Sequence, residues 1–215
     1  MTKLIMKIPL ESSSTCTISG ASNTGKTSFV YKLLSDHNAF TEPVHKIYYF
    51  YGVYQPLYDT MKSKLPNIEF HEGLPKNMKQ YATGKHCVCV LDDLMYAVVN
   101  DMESCRMFTE YAHHLKMSVL FLTHNAFAQG HYSRTISLNS HYIILFRNLR
   151  DSSQIVALGK QMYPGNHQVL VEAYRDATAA KYGYLLIDMS PHSSDDTRLR
   201  SNIFGDVWVY KPKSL

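Results

Sequence analysis

The chain has 215 residues, 45% of them hydrophobic and 19% charged, and a formal net charge of +4. That length and apolar content suit one globular domain with a sizeable core: a single domain over 1–215, a core over about 15–190 and a C-terminal strand extension over about 191–215. Cys16, Cys87, Cys89 and Cys105 lack paired C-x-x-C spacing, which argues against a disulfide framework or zinc site. The N-terminal apolar patch is broken by Lys7, and no apolar run approaches the roughly 20 residues of a membrane span, so the expectation is a soluble intracellular protein with no membrane association.

Strand-like and helix-like segments alternate along the chain. "STCTISG" is a β-rich run ending in glycine, and "KTSFVYKLLSDH" follows with Phe29, Val30, Leu33 and Leu34 at helical spacing. "VHKIYYFYG" reads as a second strand, "QPLYDTMKSKL" as a helix, and "NIEFHEG" as a short strand leading to "LPKNMKQYATGK". "HCVCVLDD" is a buried strand ending in two carboxylates, "ESCRMFTEYAHHLK" an amphipathic helix, and "MSVLFLTHN" another apolar strand with a polar end. "HYIILFRN" gives a further strand, "DSSQIVALGKQMY" and "HQVLVEAYRDATAA" two helices, and "YGYLLIDMSP" a strand, with "DVWVYKP" a peripheral one. This alternation predicts an α/β fold, a mainly parallel sheet flanked by helices in a single domain, and the G-x-x-x-x-G-K-T stretch from Gly20 to Thr27 makes that a phosphate-loop domain.

The stretch Gly20-Ala21-Ser22-Asn23-Thr24-Gly25-Lys26-Thr27 reads G-x-x-x-x-G-K-T, between a strand and a helix as that motif requires. Its backbone N–H groups, from Gly20 to Ser28, would cradle phosphate oxygens with help from the helix dipole. Lys26 would reach the β- and γ-phosphates of ATP, and the Thr27 hydroxyl would coordinate Mg²⁺. A second strand must then bring a carboxylate to the metal, and "VCVLDD" supplies it: Asp92 for Mg²⁺ and Asp93 to orient and deprotonate a water. A carboxylate directly after the metal ligand favours hydrolysis over phosphotransfer, although Asp has a shorter reach than Glu. "LFLTHN" places Thr123, His124 and Asn125 as polar sensors of the γ-phosphate. Arg134, Arg147 and Arg150 are candidates for an arginine finger acting on a neighbouring subunit, with Arg134 and Arg150 foremost.

The loop "GASNTGKTSFVYKLL", the strands "VLDDLM" and "FLTHN", and above all "RTISLNSHYIILFRNLRDSSQIVALGKQMYP" followed by "DATAAKYGYLLIDMSP" resemble the FtsK–HerA superfamily of ring ATPases. Within it they resemble the genome-packaging ATPases of polintons, adintoviruses and related large DNA viruses. That group often has Gln where His124 stands, which leaves open which of Thr123, His124 and Asn125 senses. The resemblance implies an ATP- and Mg²⁺-dependent motor that translocates double-stranded DNA into a preformed capsid. It implies a homo-oligomeric ring, monomeric in isolation until DNA or the capsid concentrates it, with a capsid or portal-vertex protein as partner. The implied setting is the host cell, nucleus before cytoplasm, and the virion itself. Arg198, Arg200, Lys211 and Lys213 form a modest basic cluster that fits a DNA contact or a solvated tail equally well, and the loop "NAFAQGHYS" is a second candidate for gripping DNA. A nucleoside or nucleotide kinase, a non-catalytic ATP-binding scaffold and a helicase are the alternative readings. The kinase predicts an arginine-rich lid, for which "RNLRDSSQ" is the candidate.

Overall fold

The computed structural model describes residues 2–4, 7–126, 128–150 and 152–211. Its strands are β1 (Thr2–Leu4), β2 (Thr15–Ser19), β3 (Lys46–Tyr51), β4 (Ile68–Glu72), β5 (Cys87–Asp92), β6 (Met117–Thr123), β7 (Tyr142–Phe146), β8 (Tyr184–Asp188), β9 (Leu199–Ser201) and β10 (Val207–Tyr210). They form one sheet in the order β1-β10-β9-β8-β7-β2-β6-β5-β3-β4. From β7 to β4 all neighbours are parallel, whereas β8, β9, β10 and β1 join by antiparallel pairing.

The central strands β2, β5, β6 and β7 are buried at every residue, as continuous apolar runs require when helices cover both faces. On one face α1 (Lys26–Ser35) and α2 (Leu57–Lys64) pack Val30, Leu33, Tyr58 and Met61 against Ile47, Tyr49, Val90 and Ile144. On the other, α3 (Met95–Val98), α4 (Met102–Arg106), α5 (Ala112–His114) and α6 (Ser133–Leu138) belong to the half that covers Phe50, Leu91 and Phe121. There α7 (Ser152–Met162) and α8 (Gln168–Ala177) cover Ile143, Leu145 and Ile187. The period-2 split between residues 142, 144, 146 and 143, 145 is what a two-sided strand dictates.

Several elements depart from the sequence reading. The helix expected over "ESCRMFTEYAHHLK" is interrupted by a π-helical stretch, Met107–Tyr111, between α4 and α5; the wider turn keeps Met107, Phe108, Tyr111 and Ala112 all buried. "LPKNMKQYATGK", for which the sequence predicts no element, contains a 3₁₀ turn, Met78–Tyr81, capped by the Asn77 side chain. β1, β9, α3 and α6, three to six residues each, carry too little periodicity to be read. The cysteines lie in β2, β5 and α4 as buried thiols.

Among the described residues, the basic cluster expected near the C-terminus is engaged within the chain rather than free. Arg200 is 2% exposed and donates from Nη2 to Asp188 Oδ2 at 2.8 Å. Arg198 is turned inward onto the Asp188 and Ser193 carbonyls and the Asp195 carboxylate, and Lys211 pairs with Asp196. Lys213 lies outside the described residues, as does Phe127 of the "NAFAQGHYS" loop.

Candidate functional site

β6 lies between the glycine-loop strand β2 and the acidic strand β5, all three parallel, so their carboxyl ends deliver the loop, the polar segment and the carboxylates to one sheet edge. Gly25 precedes α1 with φ 97°, a left-handed conformation that a side chain would strain, and its carbonyl accepts the Phe29 N–H at 2.8 Å. Asn23 is also left-handed, at φ 62°, and Thr24 Oγ1 donates to the Ala21 carbonyl. Gly20 N–H donates to the Thr123 carbonyl, tying the loop to the end of β6.

Lys26 reaches back across the loop and donates from Nζ to the carbonyls of Gly20 (2.7 Å) and Ala21 (3.0 Å). Burial lowers its pKa, while the charges of Asp92 and Asp93 pull it back up. Thr27 Oγ1 donates to Asp92 Oδ2 at 3.2 Å. The same carboxylate oxygen accepts from Tyr49 (2.7 Å) and Tyr58 (3.0 Å), both fully buried. Burial raises the Asp92 pKa and the three hydroxyl donors oppose that rise; burial and the Asp92 charge push both phenols up. Two hard oxygen donors, a threonine hydroxyl and a carboxylate, 3.2 Å apart beside a phosphate-type loop fit Mg²⁺, which takes few protein ligands and keeps its waters.

Asp93 sits at φ 58°, so the chain turns sharply after Asp92 and the two carboxylates point differently. Gly52 makes room for that turn: a Cβ there would lie 2.3 Å from the Asp93 carbonyl oxygen. Asp93 is exposed to the cleft, with His124 Nε2 3.7 Å from its Oδ1. Thr123 is buried, its hydroxyl bonded to the Asn125 backbone, whereas His124 is half exposed. Of the three sensor candidates, Thr123 and His124 line the cleft.

This cleft, about 1000 Å³, is bordered at one end by Asp92, Asp93, His124 and Gln55, runs over the loop, and is walled elsewhere by Lys32, Tyr182, Tyr184 and Phe204. Among the described residues no arginine lines it. Arg134 is exposed at the start of α6. Arg147 and Arg150 leave the carboxyl end of β7, beside β2, into an exposed turn; Arg147 lines a separate cavity with Arg175 and Leu149. The tyrosine pair on Asp92 was missed by sequence reasoning, because each tyrosine looks like an ordinary core aromatic.

No protein-family model and no curated protein matches the sequence. Among solved structures, the genome packaging NTPase B204 from Sulfolobus turreted icosahedral virus 2, determined in complex with sulfate, is similar at 12% identity and a TM-score of 0.51. The match covers 94% of this chain and 97% of that one. The KaiC-like protein PH0186 from Pyrococcus horikoshii OT3 matches at 10% identity and a TM-score of 0.42, over 93% of this chain and 90% of its own. With β6 set between the loop strand and the acidic strand, the chain has the α/β phosphate-loop NTPase fold, its mostly parallel central sheet flanked by helices.

Proposed function

We propose that the chain is an ATP-hydrolysing motor that translocates double-stranded DNA into a viral capsid. The observation that carries the hydrolytic part is the pair of adjacent carboxylates aimed apart, Asp92 onto Thr27 and Asp93 into the open cleft beside His124. The translocation and packaging part rests on the sequence resemblance to FtsK–HerA packaging ATPases, and a fold shared with a viral packaging NTPase agrees with it.

In this reading Lys26 leaves the Gly20 and Ala21 carbonyls for the β- and γ-phosphate oxygens, which also restores the charge that burial disfavours. Thr27 and Asp92 hold Mg²⁺, which when bound neutralises charge on the phosphate oxygens. Asp93 orients the attacking water and takes its proton; His124 adds a hydrogen-bonding group at the same place. Positive charge beyond Lys26 comes from Arg134, Arg147 or Arg150 of an adjacent copy in a homo-oligomeric ring, since the cleft has no arginine of its own among the described residues. The kinase reading is less well supported, since among the described residues no arginine of "RNLRDSSQ" lines the cleft and Arg147 lines a separate cavity. With Arg200 buried, Arg198 bonded to backbone carbonyls and Lys211 in a surface pair with Asp196, phosphate contacts to DNA fall to other basic residues and the loop around 125–133. A capsid or portal-vertex protein completes the machine, in the host cell where capsids assemble.

The test is steady-state ATP hydrolysis with and without long double-stranded DNA, beside Lys26→Ala and Asp93→Asn. Turnover stimulated by DNA and removed by both substitutions, with Asp93→Asn still binding ATP, is the expected result. ATP bound but never hydrolysed, even with DNA and at high protein concentration, would replace the motor by a nucleotide-dependent scaffold.

A further inference from the structure

The cleft has two chemically different ends. The acidic end holds Asp92, Asp93 and His124; the other is walled by Tyr182, Tyr184 and Phe204, with Asn202 at the rim. A phosphate loop fixes the direction of a nucleoside triphosphate, because its lysine and metal ligands take the terminal phosphates. The γ-phosphate therefore lies toward Asp92, and sugar and base leave over the first turns of α1 toward the aromatic end.

Two side chains there, Tyr182 and Asn202, have features that core packing does not explain, while Phe204 stands against the core at the same place. Tyr182 is 58% exposed although it borders the cleft, and it stands on left-handed backbone, φ 64°, which a bulky residue adopts at a cost. That conformation sets its ring against the loop: a Cβ on Gly25 would lie 3.0 Å from Tyr182 Cδ1. Phe204 is half-buried, 5.1 Å from Phe29 of α1 between ring centroids, and the Lys32 ammonium lies 4.9 Å over its ring. Asn202 is left-handed too, φ 54°, in the turn between β9 and β10. Its Nδ2 donates to the Asp206 carbonyl at 3.0 Å, which fixes the amide so that Oδ1 remains an acceptor at the rim of the cleft. Two aromatic rings and one oriented acceptor are what a flat heterocycle with an exocyclic amino group needs.

We propose that Tyr182, Phe204 and Asn202 form the nucleoside subsite of this chain, the rings packing on a purine and Asn202 Oδ1 accepting from its 6-amino group. The subsite is contributed by the antiparallel half of the sheet, through the turns before β8 and between β9 and β10. It deepens the nucleotide-site reading above and rests on it.

The test compares binding of ATP, ITP and inorganic tripolyphosphate, each with Mg²⁺, to the full chain. Tripolyphosphate reports the loop alone and ITP carries a 6-keto group in place of the amine. The wild type is expected to bind in the order ATP, ITP, tripolyphosphate. Tyr182→Ala and Phe204→Ala should each weaken ATP about tenfold and leave tripolyphosphate unchanged. Tyr182→Phe should bind ATP as the wild type does, and Asn202→Ala should close the gap between ATP and ITP. Because Phe204 also packs on Phe29, the exposed Tyr182 carries the decision if Phe204→Ala unfolds. ATP affinity unchanged in Tyr182→Ala, or lost in parallel with tripolyphosphate, overturns the subsite while leaving the loop intact. A wild type that binds neither ATP nor tripolyphosphate overturns the nucleotide site itself, and Lys26→Ala should reproduce that behaviour.

Discussion

Removing the Tyr58 hydroxyl tests how Asp92, the carboxylate proposed to hold Mg²⁺, is positioned. Asp92 Oδ2 accepts three hydroxyls, from Tyr49 at 2.7 Å, Tyr58 at 3.0 Å and Thr27 at 3.2 Å, and both phenols are fully buried. A hydrogen bond to a charged group contributes about 1.5–3 kcal/mol. Phenylalanine avoids burying a hydroxyl without its partner, so Tyr58→Phe should fall at the lower end, about 1.5 kcal/mol. For a chain of this size that is a melting-temperature loss of about 3–6 °C. The bond from Tyr49 is shorter, and Tyr49→Phe should cost somewhat more. The double variant leaves a buried carboxylate with Thr27 alone. It should lose more than the two single losses together, because burial already lifts the Asp92 carboxyl and the hydroxyls are what restrain it. Urea unfolding measures the first effect, and Mg²⁺-dependent nucleotide binding across pH measures the second: the double variant should need more Mg²⁺, increasingly so toward acid. An Asp92→Ala background supplies the control, since Tyr58→Phe should then cost about 0.5 kcal/mol or less. The same loss with and without the carboxylate would show that Tyr58 matters only as packing and would refute the clamp.

Three other outcomes are expected. Gly25→Ala must hold φ near 97° with its Cβ 3.0 Å from the Tyr182 ring, so it should destabilise the protein by about 1–3 kcal/mol and weaken tripolyphosphate at least as much as ATP, with no rescue from Tyr182→Ala. His86 is buried, its Nδ1 donating to the Glu42 carbonyl and its Nε2 accepting from Ser118, and burial lowers its pKa below the ordinary 6.5. The unfolded chain then binds the proton more readily, so the neutral ring's contribution is complete above pH 6.5 and is lost as pH falls through the folded pKa; urea midpoints should fall in that window and do so less in His86→Gln. Asp188→Ala strips the carboxylate from buried Arg200 and should cost about 3–5 kcal/mol in urea unfolding, while variants at Arg200 that still fold should bind DNA as the wild type does.

The parts of the fold that were legible are those whose physics is local. The loop is written in its own glycines, since Gly25 must be left-handed, and a buried strand and an amphipathic helix bound it on either side. The acidic and sensor strands were legible as unbroken apolar runs ending in polar residues, which only a sheet covered on both faces produces. Pairing over long separations was not. Tyr49 and Tyr58 reach Asp92 across 43 and 34 residues, and nothing near either tyrosine signals a carboxylate. Arg200 reads as surface because its counter-ion, Asp188, lies on a neighbouring antiparallel strand, and hydrophobic periodicity carries no information about strand direction.

That missing direction bears on function. Although α7 and α8 lie between them, β8 runs antiparallel to β7, so its amino end comes to the edge where the parallel strands end. The turn from α8 into β8 therefore sets Tyr182 beside Gly25, and the short turn between β9 and β10 sets Asn202 to Phe204 at the same edge, beside Phe29. The division of labour in the cleft follows the division of the sheet. In the proposed reading, phosphate, metal and water chemistry sits on parallel strands, whose carboxyl ends converge, while contact with the nucleoside falls to turns of the antiparallel half whose aromatics and amide lie apart from the carboxylates. Substitutions at Tyr182 should therefore weaken nucleotide binding and those at Asn202 change which nucleotide is bound, both leaving the chemistry done on it intact, while substitutions at Asp93 should do the reverse.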